Sequence, residues 1–91
     1  MAFELNMWNG YVKGERYEKP LHFDRMFGNA RKRYIVMIDD NGNELIWLTN
    51  DYTKAYKEFV ARGVYKFTIT SILNLPDKKD INIGHLKFVH Y

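Results

Sequence analysis

The segment from Arg33 to Thr49 contains the feature that most constrains the fold, an Asn41-Gly42 pair between two apolar runs. Such a pair is the strongest short-range signal for a β-hairpin, because a type I′ turn requires positive φ at both central residues. A two-residue turn at these positions also fixes the register of the two strands. The predicted cross-strand pairs are Asp40–Asn43, Ile38–Leu45, Val36–Trp47 and Tyr34–Thr49.

Both faces of this predicted hairpin are largely apolar. A hairpin with one face in water should instead alternate apolar and polar residues. Either the fold covers both faces, or one of them is a binding surface. The predicted faces are Ile35, Met37, Ile46 and Leu48 on one side, and Tyr34, Val36, Ile38, Leu45 and Trp47 on the other.

The rest of the chain predicts three more strands and one helix. Residues 3–12 alternate partly and predict a first strand, with Gly10 as a bend or bulge. Residues 51–62 carry an apolar stripe at helical spacing and end before Gly63, a residue suited to the position just past a helix. The stripe consists of Tyr52, Ala55, Tyr56, Phe59 and Val60. Residues 64–73 and 85–91 predict the last two strands.

Three segments connect these elements. Residues 13–20 predict a turn or loop, and residues 74–80 predict a second loop. Residues 21–27 are compatible with a short strand, a single helical turn or an ordered loop. The resulting order is strand, long connection, strand, strand, helix, strand, strand.

Length and composition restrict the classes of protein that fit. Ninety-one residues predict a single domain over residues 1–91. The chain has no cysteine, no apolar run of membrane-spanning length and no signal-peptide pattern after Met1, which predicts a cytoplasmic protein without a membrane partner. A net charge of +3 permits nucleic-acid binding without requiring it.

No pattern indicates catalysis, a metal or a cofactor. Ser71 is the only serine and lacks the glycines of a nucleophile elbow. The three histidines, at positions 22, 85 and 90, lack the spacing of a tetrahedral zinc site. No glycine-rich phosphate loop is present, and the scattered acidic residues single out no pair of carboxylates for acid–base catalysis. We therefore expect a binding protein and not an enzyme.

From residue 33 to residue 73 the chain resembles the small OB-fold single-stranded nucleic-acid-binding proteins of phages and mobile elements. The residues that carry the resemblance are the strand that ends at Asp39-Asp40-Asn41-Gly42, the following strand with Trp47, and Gly63-Val64-Tyr65 after the helix. The resemblance implies a mainly β, five-stranded, Greek-key barrel with one helix between its third and fourth strands. It also implies a role in replication or recombination.

In OB folds, oligonucleotides lie across the second and third strands, between two flanking loops. Aromatic side chains there stack on bases, and Lys and Arg neutralise phosphates. The resemblance therefore implies a site on the hairpin face, at the basic cluster before it and in the two loops. Its residues are Tyr34, Val36 and Trp47, then Arg31, Lys32 and Arg33, then Lys13, Arg16, Lys19, Arg25, Lys78 and Lys79.

An alternative remains open at this point. The two-faced apolar hairpin and the modest charge also fit a protein-interaction module that binds or inhibits a host or replisome protein. Either kind of protein could be a monomer or a small homo-oligomer. A second reading of Tyr34 and Trp47 places both in the core.

Overall fold

A computed structural model describes residues 3–29, 31–49 and 62–91. These residues form eight strands and contain no helix. The predicted helix over residues 51–62 lies outside the described residues except for Arg62, which belongs to a strand. The strands are β1 (Phe3–Leu5), β2 (Met7–Trp8), β3 (Tyr11–Val12), β4 (Arg16–Gly28), β5 (Arg33–Asp39), β6 (Glu44–Thr49), β7 (Arg62–Asn74) and β8 (Lys79–His90).

Five of these strands pair in a closed ring. β4 pairs antiparallel with β5 on one side and with β7 on the other. β5 pairs antiparallel with β6, which runs parallel to β8, and β8 returns antiparallel to β7. β1 adds three residues to the far end of β7, and β2 and β3 form a separate small hairpin.

The first long strand is β4, and the prediction for this part of the chain is wrong. Residues 16–20 were expected in a loop, yet they begin a 13-residue strand that continues through residue 28. Residues 3–12 were expected to form one strand, yet they form three short ones. The alternation of β4 is hard to see in the sequence because only Leu21 is buried, whereas Tyr17 and Phe23 are half-buried.

The hairpin between β5 and β6 exists, but its predicted register is wrong by one residue. Met37 pairs with Leu45 and Ile35 pairs with Trp47. Gly42 has a φ of 84°, Asn41 does not have positive φ, and the Gly42 amide donates to the Asp39 carbonyl at 3.1 Å. The turn is therefore a three-residue loop with a glycine bulge, and not a two-residue type I′ turn.

The core lies inside the ring. Its buried side chains come from all five ring strands and from β3, and alternate residues of β7 supply Tyr65, Phe67 and Ile69. A register shift between Ile69 and Ser71 then changes which residues of β7 face inward. Ile72 is consequently buried, whereas Ser71 is half-buried. This irregularity lets a long strand bend around a small core.

Candidate nucleic-acid interface

A buried polar network joins the N-terminal hairpin to the turn between β5 and β6. The Tyr11 hydroxyl, on a side chain that is 0% exposed, donates to Asp39 Oδ2 at 2.6 Å. Asp39 is itself 4% exposed and also accepts hydrogen bonds from the Asn41 amide, the Asn43 amide and the Asn43 side chain. Four donors therefore satisfy one buried carboxylate.

These hydrogen bonds decide the protonation state of both groups. Burial by itself raises the pKa of Asp39, but the hydrogen bonds from Tyr11, Asn43 and Asn41 outweigh it and hold that pKa below its ordinary value. Burial, followed by the bond to Asp39, raises the pKa of the Tyr11 hydroxyl above its ordinary value. The pair is an ionised acceptor with a neutral donor, which is a structural arrangement and leaves Asp39 no free lone pair for catalysis.

A β-bulge in β4 determines which side chains reach the outer face of the ring. Leu21 and Phe23 pair with inward-facing residues of β5. The register then shifts between Phe23 and Arg25, so Phe27 pairs with Tyr34 on the outer face. Without the extra residue, Phe27 would share the inward face of Leu21 and Phe23.

Phe27 and Tyr34 form a stacked aromatic pair on this outer face. Their ring centroids are 4.8 Å apart and the rings are inclined by only 11°. Phe27 is 47% exposed and Tyr34 is half-buried. A cross-strand pair of this kind presents a rigid aromatic surface to the solvent.

The loop beside this pair carries two exposed cations, Arg31 and Lys32. Their backbone amides donate to the Asn29 side-chain oxygen at 2.9 and 3.0 Å. Gly28 opens the loop at a φ of 117°, and a Cβ there would lie 2.2 Å from the Lys32 carbonyl oxygen. Glycine is therefore required at this position. Among the described residues, no carboxylate forms an ion pair with Arg31 or Lys32.

We call Phe27, Tyr34, Arg31 and Lys32 the basic–aromatic patch. Sequence reasoning found Tyr34 and both cations but missed Phe27. The only local signal for Phe27 was its position next to Gly28-Asn29, since its outward direction depends on the bulge.

The structure separates the other predicted hairpin residues from this patch. Trp47 pairs with Ile35 and packs against the core, so the expectation that it shares a face with Tyr34 and Val36 is wrong. Val36 lies on the outer face with Tyr34 but is fully buried. Arg33, the first residue of β5, is half-buried, and as the strand neighbour of Tyr34 it faces the opposite side of the sheet.

The remaining predicted cations have neighbours elsewhere on the molecule. Arg25 contacts Asp24 and donates to Glu44 at 2.9 Å, and the bonds to Glu44 and then Asp24 raise its pKa. Lys78 lies 3.5 Å from Asp80. These carboxylates offset both charges locally. Of the other four cations, Lys13 forms an ion pair with Glu4, and Arg16 donates a hydrogen bond to Thr68. Lys19 lies over the Tyr11 ring, and Lys79 lies over the Trp8 ring.

Two observations on the described part of the chain concern metal ions and pockets. No group of three or more His, Asp or Glu side chains in residues 3–29, 31–49 and 62–91 could hold a metal ion. A shallow pocket lies between His22, Asp39, Asp40 and Arg62, but the Asp39 carboxylate in it already has four donors.

Comparison of the chain with protein-family models, with curated proteins and with solved structures gives no match. Within the described residues, no helix has the length and apolar character needed to cross a membrane. The geometry of the basic–aromatic patch is therefore the evidence for function.

Proposed function

We propose that the five-stranded ring is an OB-type Greek-key barrel. Its pairing order supports this proposal, because β4, β5 and β6 follow one another and β7 returns to lie beside β4. That spatial order, with the fourth strand next to the first, is the order of a Greek key. With β4 as the first barrel strand, β5 and β6 occupy the second and third positions, whose outer face binds oligonucleotides in OB folds.

We further propose that the protein binds single-stranded DNA or RNA at the basic–aromatic patch, without catalysis. The exposed, nearly parallel Phe27–Tyr34 pair is the observation that carries this proposal, together with the adjacent Arg31 and Lys32, which form no ion pair with a described carboxylate. An unpaired base offers a π-face that can stack on Phe27, and such contacts contribute about 1–3 kcal/mol per base. Arg31 and Lys32 would contact the adjacent phosphates.

The stacking partner must be a base outside a duplex. In double-stranded nucleic acid the faces of the bases are already stacked on one another, so they cannot lie on Phe27. On the outer face beside Tyr34, the buried Val36 and its partner Ile46 are apolar and offer no hydrogen bond to base edges. We therefore expect weak sequence preference.

Fluorescence anisotropy with a labelled dT oligonucleotide tests the proposal. Phe27→Ala should weaken binding roughly 5- to 150-fold, which corresponds to about 1–3 kcal/mol for one lost stacking contact. Phe3→Ala is the matched control, because Phe3 is 56% exposed on β1 and lies outside the patch. An equal affinity for the two variants, or no binding by the natural chain, would contradict the proposal.

A second candidate function, binding to a protein partner, has its own supporting observation. Met7 and Val12 are directly paired in the small hairpin, and Met7 is 64% exposed. Exposed apolar pairs of this kind occur at protein interfaces. A protein complex that forms equally well in excess oligonucleotide and is lost in Met7→Asp would favour this function over the first.

A further inference from the structure

A second positively charged surface lies on the ring, away from the basic–aromatic patch. The register of β4, β7 and β8 places Arg16, Lys66 and Lys87 on the outer face, since their neighbours along each strand include the inward-facing Phe67 and Leu86. All three side chains are exposed. We call these three residues the basic strip.

The arrangement of the basic strip is electrostatically unfavourable in the protein by itself. Lys66 and Lys87 are direct cross-strand partners, and like charges directly opposite each other destabilise a sheet. The nearby carboxylate is Glu18, whose oxygen lies 3.7 Å from the Lys66 ammonium. Among the described residues, no carboxylate pairs with Lys87. The strip therefore keeps an excess of positive charge.

The hydroxyl of Thr68, which contacts Arg16, also belongs to this surface. The Arg16 guanidinium donates to Thr68 Oγ1 at 3.0 Å and to the His85 carbonyl at 3.4 Å. Because Thr68 uses its oxygen to accept, its own proton is available to donate. A charged guanidinium, a hydroxyl and two ammonium groups are the donors that commonly contact phosphate oxygens.

We propose that the basic strip binds the phosphodiester backbone of a nucleic acid and does not contact its bases. The inference rests on the proposed function, in that the polyanion is the same nucleic acid that stacks on Phe27. The surface does not resemble the centre of a protein interface, where lysine is depleted and aromatic residues are enriched. The cross-strand partners of Arg16, Lys66 and Lys87 on this outer face are Thr68, Glu18 and one another, and none of these is aromatic.

The strip and the patch lie at opposite ends of β4. Arg16 begins this strand and Phe27 is one residue from its end. At about 3.3 Å per residue, a straight strand of this length spans roughly 35 Å. A nucleic-acid strand that contacts both surfaces would therefore run along β4. The basic strip would bind the part of its backbone that lies beyond the stacking site.

The salt dependence of binding tests the inference, because each neutralised phosphate of a single strand contributes about −0.7 to the slope of log K against log salt concentration. The Lys66→Ala/Lys87→Ala double variant should lower the magnitude of the slope for a dT oligonucleotide of about 30 nucleotides by roughly 1.4. Lys78→Ala is the control, since Asp80 already offsets that charge. Both substituted lysines are exposed, and circular dichroism verifies that the double variant is folded.

The outcomes separate this inference from the proposed function. If Phe27→Ala weakens binding but the double variant keeps the natural slope, the proposed function stands and the basic strip is not a phosphate site. If the natural chain binds no oligonucleotide, both fail. If the double variant loses binding to poly-glutamate but keeps the natural affinity and salt slope for the oligonucleotide, the strip binds acidic protein and not nucleic acid, which also overturns the inference.

Discussion

Replacing Tyr11 with phenylalanine removes one hydroxyl from the buried network around Asp39. The change keeps the ring that packs on Tyr17 and Phe67, with centroids 5.1 and 6.1 Å away, so the loss is confined to the hydrogen bond. A buried hydrogen bond to a charged group contributes about 1.5–3 kcal/mol. We expect Tyr11→Phe to lower the free energy of unfolding at pH 7 by this amount.

The pH dependence of this loss identifies its cause. Because the pKa of Asp39 is lowered by folding, its contribution is present above the ordinary value of about 4 and is lost as the pH falls through the lowered pKa. Because the pKa of Tyr11 is raised by folding, its contribution is present below about 10 and is lost as the pH rises further. The difference in the free energy of unfolding between the natural chain and Tyr11→Phe should therefore be largest between about pH 4 and 10 and shrink on either side.

Urea unfolding followed by far-ultraviolet circular dichroism, at several pH values from acid to neutral, measures this difference. Tyr17→Phe is the control, since the Tyr17 hydroxyl accepts from the neutral Val12 amide at 2.8 Å. We expect its cost to be about 0.5–1.5 kcal/mol and constant over the acid range. A cost of Tyr11→Phe that is equally constant would refute the ionised Asp39 as its acceptor.

Two further substitutions test the loop and the core. Gly28→Ala should destabilise the protein by about 1–3 kcal/mol and weaken oligonucleotide binding, because the new Cβ meets the Lys32 carbonyl. Gly14→Ala is its control in thermal unfolding: Gly14 also has positive φ, at 87°, but nothing lies within 4 Å of its Cβ position, so a smaller loss is expected. Trp47→Ala should cost about 3 kcal/mol of stability through lost packing yet leave the affinity of the folded protein unchanged. Reduced affinity at unchanged stability would place Trp47 in the binding site instead.

Local turn chemistry shows why part of the fold was predictable. The sequence contains two Asn-Gly pairs, and the type I′ turn predicted at Asn41-Gly42 occurs at Asn9-Gly10, where both residues have positive φ. At the other pair, Asp39 accepts from the amides of Asn41 and Asn43 and selects a longer loop. A dipeptide therefore predicted a hairpin, but a buried side chain decided its register.

The candidate site shows the same division. Arg31, Lys32 and Tyr34 were identified from residue type and neighbourhood, because exposed cations beside an aromatic strand need no long-range information. Phe27 was missed because its direction depends on the bulge, and a bulge depends on how β4 fits β5. Trp47 was assigned to the wrong face because one residue of register exchanges the faces of a strand.

The sequence by itself determined that this chain is mainly β, with a hairpin over residues 33–49 and an alternating strand that places Tyr65, Phe67 and Ile69 on one face. These are consequences of local periodicity and turn residues. Only the tertiary structure decided that residues 16–28 are a strand, that the ring closes through β8, and that Phe27 stacks on Tyr34. The physical reason is that strand pairing joins residues distant in sequence, so register and bulges are settled when the whole ring closes.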